Sequence, residues 1–129
     1  MSNPGLSRPT DAELGILRVL WRRGPSTVRQ VCETLGQERE IGYTTVLKLM
    51  QIMTEKGLVE RDETERTHVY QARLTKEQTQ QQLVGDLLDK AFGGSASQLV
   101  MQALAAKPAS ADELARIRRL LDELEGSKQ

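Results

Sequence analysis

Four polar residues on one side of a short helical segment carry the clearest chemistry in this chain. Thr44, Lys48, Gln51 and Glu55 recur at helical intervals and offer a hydroxyl, an ammonium, an amide and a carboxylate outward. Val46, Leu49, Met50 and Met53 fall on the opposite side with the i, i+3, i+4, i+7 spacing of a buried stripe. Such a helix has the make-up of a surface probe. Lys56-Gly57 ends it, Leu58-Val59 opens a strand, Arg61 to Thr67 is a polar turn, and Val69 to Ala72 is a second strand. A further short helix precedes the probe. Helix, helix, two-stranded wing is the order by which a small protein places one helix in a DNA major groove and a ribbon beside it. The order points to double-stranded DNA.

Other reactive residue types are sparse. His68 is the only histidine and Cys32 the only cysteine, so this chain alone offers no zinc shell and no internal disulfide. His68 lies in the wing, as a strand residue or a phosphate contact. Cys32 falls on the inward stripe of its helix and reads as a small buried hydrophobe. There is no GxSxG, no Gly-rich phosphate loop and no paired metal ligands. The chain is not expected to be an enzyme or to carry a cofactor. No run approaches the roughly 20 apolar residues of a membrane span, and Met1 to Pro9 lack a signal peptide's apolar stretch. A cytoplasmic location is expected.

Charge argues for caution about a lone copy. Eighteen Lys and Arg balance eighteen Asp and Glu, and neither residues 1–73 nor residues 74–129 form a basic half. Phosphate neutralisation supplies most non-specific DNA affinity. Binding must therefore use a local basic surface, doubled by dimerisation.

The elements that position these residues are well punctuated. Thr10/Glu13, Thr27/Gln30, Thr75/Gln78, Ser95/Gln98 and Ser110/Glu113 each have the capping-box spacing, and each precedes an apolar-periodic run. They predict helices over about Asp11 to Arg23, from Thr27 to Gly36, and over about Lys76 to Phe92, Ala96 to Ala106 and Ala111 to Glu125. The probe helix has Thr44 or Gly42 as its N-cap. Gly24-Pro25, Gly36, Gly93-Gly94 and Pro108 are the breaks. Leu14, Leu17 and Trp21, widened by Ile16 and Leu20, line the first helix; Val28, Val31, Cys32 and Leu35 line the second.

The last three helices pose a packing problem. Val84, Leu87, Leu88 and Ala91 share a side of one, and Leu99, Val100, Ala103 and Leu104 mark the next. Leu114, Ile117, Leu121 and Leu124 alternate three and four residues apart, the seam of a helix that packs on another helix. Three short helices bury too little apolar surface alone. They either fold back on the N-terminal domain or interlock with a second copy in a two-fold dimer, and the dimer covers more of the leucines.

Residues 7–125 resemble the BlaI/MecI/CopY, or penicillinase-repressor, family of bacterial transcriptional repressors. The likeness is carried by Leu6-Ser7 to Leu20-Trp21 ending in Gly24-Pro25, by Ser26-Thr27-Val28, by Tyr43-Thr44-Thr45-Val46, by Glu55-Lys56-Gly57-Leu58-Val59, and by Tyr70. It implies a mainly α fold with a small β wing. Residues 1–74 would form a winged helix-turn-helix DNA-binding domain and residues 75–129 a three-helix dimerisation arm. It also implies a homodimeric repressor on an inverted-repeat operator, with Thr44, Thr45 and Lys48 meeting bases or phosphates. Gln51 stands where the family often has a basic residue, and Arg66, with His68 nearby, would approach the backbone from the wing. Leu87, Leu99, Leu114, Ile117, Leu121 and Leu124 would form the dimer contacts. Better understood members are inactivated by a membrane sensor-protease that cuts an Asn-Phe bond; the matching place here is Gln102-Ala103. The paired CxC motifs of the copper-responsive branch are missing from the C-terminal Gly126-Ser127-Lys128-Gln129. Two other readings stand beside this one. The chain could be a winged-helix interaction module without DNA binding, or a small-molecule-sensing regulator with a pocket between arm and DNA-binding domain.

Overall fold

A computed structural model describes residues 8–126, so Leu6-Ser7 and Ser127 to Gln129 lie outside the described residues. The order is α1 (Asp11–Arg23), α2 (Val28–Gly36), α3 (Tyr43–Lys56), β1 (Val59–Asp62), β2 (Val69–Ala72), α4 (Lys76–Ala91), α5 (Ala96–Ala106) and α6 (Ala111–Gly126). It is a mainly α fold with a two-stranded wing. The chain divides into two compact units, Met1–Leu83 and Val84–Gln129, with the division inside α4.

Capping sets the helix starts. Thr10, Thr27, Thr75 and Ser110 each make both bonds of the capping box. Ser95 accepts only from the Gln98 amide, and its hydroxyl also meets that of Ser97. Left-handed glycines stop two helices. Gly57 (φ 80°) closes α3, and Gly94 (φ 82°) donates its amide to the Leu88 carbonyl after α4.

The core of the first unit gathers one face from each of its elements. Ile16, Leu17, Val19 and Leu20 of α1 meet Val28, Val31 and Leu35 of α2 and Val46, Met50 and Met53 of α3, closed by Leu58, Val59 and Tyr70. Leu14, Trp21, Leu49 and Cys32 are only partly buried against this cluster, whereas Val19 is fully inside it. The α1 stripe is thus rotated slightly from its sequence reading.

The wing is antiparallel, pairing Val59 with Ala72 and Asp62 with Val69. Arg61 and Asp62, expected in the turn, belong to β1, because they sit opposite Tyr70 and Val69. Ser26 adds a short third rung: its amide donates to the Tyr70 carbonyl (2.9 Å), and its carbonyl accepts from the Tyr70 amide (2.8 Å). This ties the α1–α2 connection to the wing and holds Tyr70 as a core residue. Trp21 Nε1–H donates to the Leu74 carbonyl at 3.0 Å, fastening the segment after the wing to α1.

Glu13 does more than cap α1. Its side chain is 3% exposed and accepts from Lys56 Nζ at 2.6 Å, while Lys56 also donates to the Arg8 carbonyl. Burial by itself pushes the Glu13 carboxyl up, but the Lys56 hydrogen bond and the Thr10 amide outweigh it and hold it below the usual carboxylate range. The start of α1 is thereby pinned to the end of α3.

The second unit is built differently. Among the described residues 84–126 no side chain is buried, and α4, α5 and α6 do not pack extensively on one another. Val84, Leu87, Val100, Met101, Leu120, Leu121 and Leu124 are large hydrophobics left exposed. No described helix is long and apolar enough to cross a membrane.

Candidate nucleic-acid interface

The helix-turn-helix is formed by α2 and α3, and its turn is tied down by short bonds. The Glu38 and Arg39 amides both donate to the Leu35 carbonyl at 3.0 Å. The Cys32 thiol reaches the Ile41 carbonyl at 3.7 Å. Cys32 is half-buried, and this contact makes it a brace for the turn as well as a small apolar filler.

Gly42 is the N-cap of α3, not Thr44, and it supplies no side-chain acceptor. Two consequences follow. The first-turn amides of α3 keep their positive end open, the geometry that favours a phosphate. The Thr44 hydroxyl is not used in capping and sits exposed beside Thr45. With Val46, Met50 and Met53 fully buried behind, Thr44, Thr45, Lys48 and Gln51 all lie on the exposed side of the helix. Leu47 and Leu49 are half-buried at its flanks.

The wing brings a second group of residues to the N-terminal end of α3. A groove of about 350 Å³ is lined by Arg29 of α2, Tyr43 and Leu47 of α3, and Arg66, His68 and Tyr70 of the wing. The Arg29 guanidinium lies 6.0 Å from the centroid of the exposed Tyr43 ring, a cation–π distance. Arg66 is exposed in the bend, and His68 is half-buried just before β2 begins. Arg66 and His68 thus share one groove. Thr44, Thr45, Lys48 and Gln51 lie along α3 and do not line it.

The wing tip carries acids that would oppose a phosphate, yet its own bonds occupy two of them. Asp62 accepts from both the hydroxyl and the amide of Thr64, and these bonds hold its carboxyl below the usual range. Glu63 pairs with Arg61 at 2.7 Å. No cluster of three or more metal-ligating residues occurs among the described residues.

Sequence reasoning missed Arg29 and Tyr43 as members of this surface. Arg29 looked like any solvated helix residue, and only the fold brings α2 beside the wing. A signal for Tyr43 existed: with Gly42 as cap, Tyr43 becomes the first helical residue. The expected dimer contacts divide by exposure. Leu87, Leu121 and Leu124 are exposed, while Leu99, Leu114 and Ile117 are half-buried.

Comparison with known proteins agrees with this geometry. The penicillinase repressor family matches residues 9–123. The chain is 34% identical over 121 residues to the transcriptional regulator BlaI of Mycobacterium tuberculosis, in strains CDC 1551 / Oshkosh and ATCC 25618 / H37Rv, covering 93% of this chain and 87% of the relative. Among solved structures, the hsRosR-S4 complex superposes with a TM-score of 0.53 at 20% identity, covering 97% of this chain and 96% of that one. The hsRosR-S1 complex gives 0.51 at 20% identity, covering 93% and 95%. These two likenesses concern the fold. The family and the bacterial relatives make the chain a DNA-binding transcriptional repressor and not an enzyme. With its helix-turn-helix and wing, and a match over nearly its whole length, the chain belongs to the penicillinase repressor family.

Proposed function

We propose that two copies of the chain bind an inverted-repeat operator, each placing α3 in a major groove. Thr44, Thr45, Lys48 and Gln51 meet bases or phosphates there, and Arg66 and His68 meet the backbone beside it. The observation that carries this reading is the run of exposed polar residues on α3, flanked by a groove that unites Arg29, Arg66 and His68. The DNA-binding domain is residues 1–74, and residues 75–129 form the arm. Leu87, Leu99, Leu114, Ile117, Leu121 and Leu124 join the arms of two copies, since the exposed leucines need a cover that the arm itself does not provide.

Fluorescence anisotropy tests the operator reading. The chain should bind its own promoter with a Kd of about 10⁻⁸ to 10⁻¹¹ M, weakening steeply with salt. Lys48→Ala and Arg66→Ala should weaken that binding. Equal affinity for promoter and random DNA at moderate salt would sink the reading and leave an interaction module without DNA binding.

The same reading places the repressor in the cytoplasm and gives it a membrane sensor-protease as the partner that inactivates it. Gln102 and Ala103 are both exposed in α5. Mass spectrometry of the chain recovered from induced cells tests this partner: intact chain throughout induction would count against it.

A further inference from the structure

A larger cavity, of about 750 Å³, is framed by α1, the α2–α3 turn and the first turn of α4, and no residue of α3 or the wing lines it. All of its lining belongs to the first compact unit. Val19 and Leu35, both nearly fully buried, supply apolar lining. Trp21 adds a flat surface, and its indole N–H is already engaged with the Leu74 carbonyl, so the ring is fixed in place.

Two like charges converge over Gly15. A Cβ placed on that glycine would lie 3.8 Å from Arg18 Nη2 and 3.9 Å from Arg39 Nη2. Among the described residues neither guanidinium makes an ion pair. Arg22 and Lys76 add further cations to the lining, against the carboxylates of Asp11, Glu38 and Glu77. Both arginines are exposed, and their guanidinium groups approach the same point beside an aromatic ring, an arrangement that suits an anion between them.

The geometry points to a binding site for a small organic anion. Its carboxylate or phosphate sits between Arg18 and Arg39 above Gly15, and its flat apolar body lies against Trp21, Val19 and Leu35. Guanidinium forks match both anion types, and the volume is in the range of small-molecule sites. Arg39 belongs to the turn that sets α3, so an anion bridging it to Arg18 ties α1 to that turn and acts on DNA affinity. Only this last consequence rests on the operator reading; occupancy of the cavity does not.

Trp21 is the only tryptophan in the chain, so its fluorescence reports on this cavity directly. The full chain is titrated with phenyl phosphate and with phenylacetate, and with benzyl alcohol as the neutral control. The site predicts a saturable change with at least one anion, and whichever anion saturates identifies the preferred head group. Arg18→Gln/Arg39→Gln should raise the half-saturating concentration about tenfold or more. Gly15→Glu should abolish saturation by tethering a carboxylate between the two arginines, with the circular dichroism spectrum unchanged. The proposal is overturned if neither anion saturates, if benzyl alcohol does so equally, or if the double variant behaves as the parent. Loss of operator affinity in the double variant without any anion saturation would assign the arginines to the DNA backbone, and that also overturns it.

Discussion

The N-terminal unit and the arm are both made of short, well-capped helices, yet only one of them owns a core. In the first, thirteen hydrophobic residues from α1, α2, α3 and the wing are buried together. Among residues 84–126 of the second, no side chain is buried, and Leu120, Leu121 and Leu124 remain about half exposed. Full burial of a leucine is worth about 1.5–3 kcal/mol, so each of these forgoes about 1 kcal/mol until something covers it. Capping decides where helices begin; it does not decide whether they have anything to pack against. A reader head with its own core can work as a rigid body, whereas residues 84–126 bury no side chain that could serve as one.

The largest expected effect breaks the arm and spares the head. Leu121→Asp puts a charge on the proposed seam and should lower operator affinity about 10³-fold or more, toward the non-specific level. Urea unfolding of the N-terminal core should be little changed. An operator titration indistinguishable from the parent would remove Leu121 from the interface.

Next comes the reverse substitution. Met50→Ala opens a cavity in a fully buried site and should cost about 2–5 kcal/mol, read from denaturant midpoints. A cost well under 1 kcal/mol would mean that the head is not held by this core.

The Glu13–Lys56 pair gives a smaller, pH-dependent effect. The Glu13 carboxyl sits below its usual value in the fold, so its stabilisation is fully present above about pH 4.3. It should fade as the pH falls through the lower folded value. Glu13→Gln should be less stable than the parent at neutral pH, by about 1–3 kcal/mol, and should approach it in acid. A constant gap between the two melting curves from pH 7 to pH 3 would refute the pairing.

The smallest effect separates the units by their caps. Thr27→Ala removes a complete capping box in the head and should cost about 1 kcal/mol at any protein concentration. Ser110→Ala removes an equivalent box at α6, and its cost should appear only where the chain is assembled. Equal, concentration-independent costs at both sites would erase the contrast.

Much of the head was legible because its signals are local. The Thr27/Gln30 spacing, the Val46–Leu49–Met50–Met53 stripe and Gly57 each lie within one turn or one helix, and each appears where the sequence reading put it, except that Leu49 is only half-buried. Long-range partners were not legible. Glu13 reads as an ordinary capping residue because Lys56 is 43 positions away. Ser26 pairs with Tyr70 only after α1 and the wing are brought together. Gly42 took the cap from Thr44 because glycine caps helices nearly as well as a hydroxyl residue, so sequence preference left the two close. Arg18 and Arg39 are exposed residues of separate elements, and only the fold brings their guanidinium groups to the same glycine. The uncovered arm leucines were visible at once, since no sheet or long helix is available to hide them.

Under the dimer proposed above, a second copy supplies the core that the arm lacks. Sedimentation equilibrium of the full chain across the micromolar range tests this most directly. Twice the 14.4 kDa chain mass is expected, falling to a single chain mass for Leu121→Asp. A parent chain that sediments at 14.4 kDa throughout that range would contradict it.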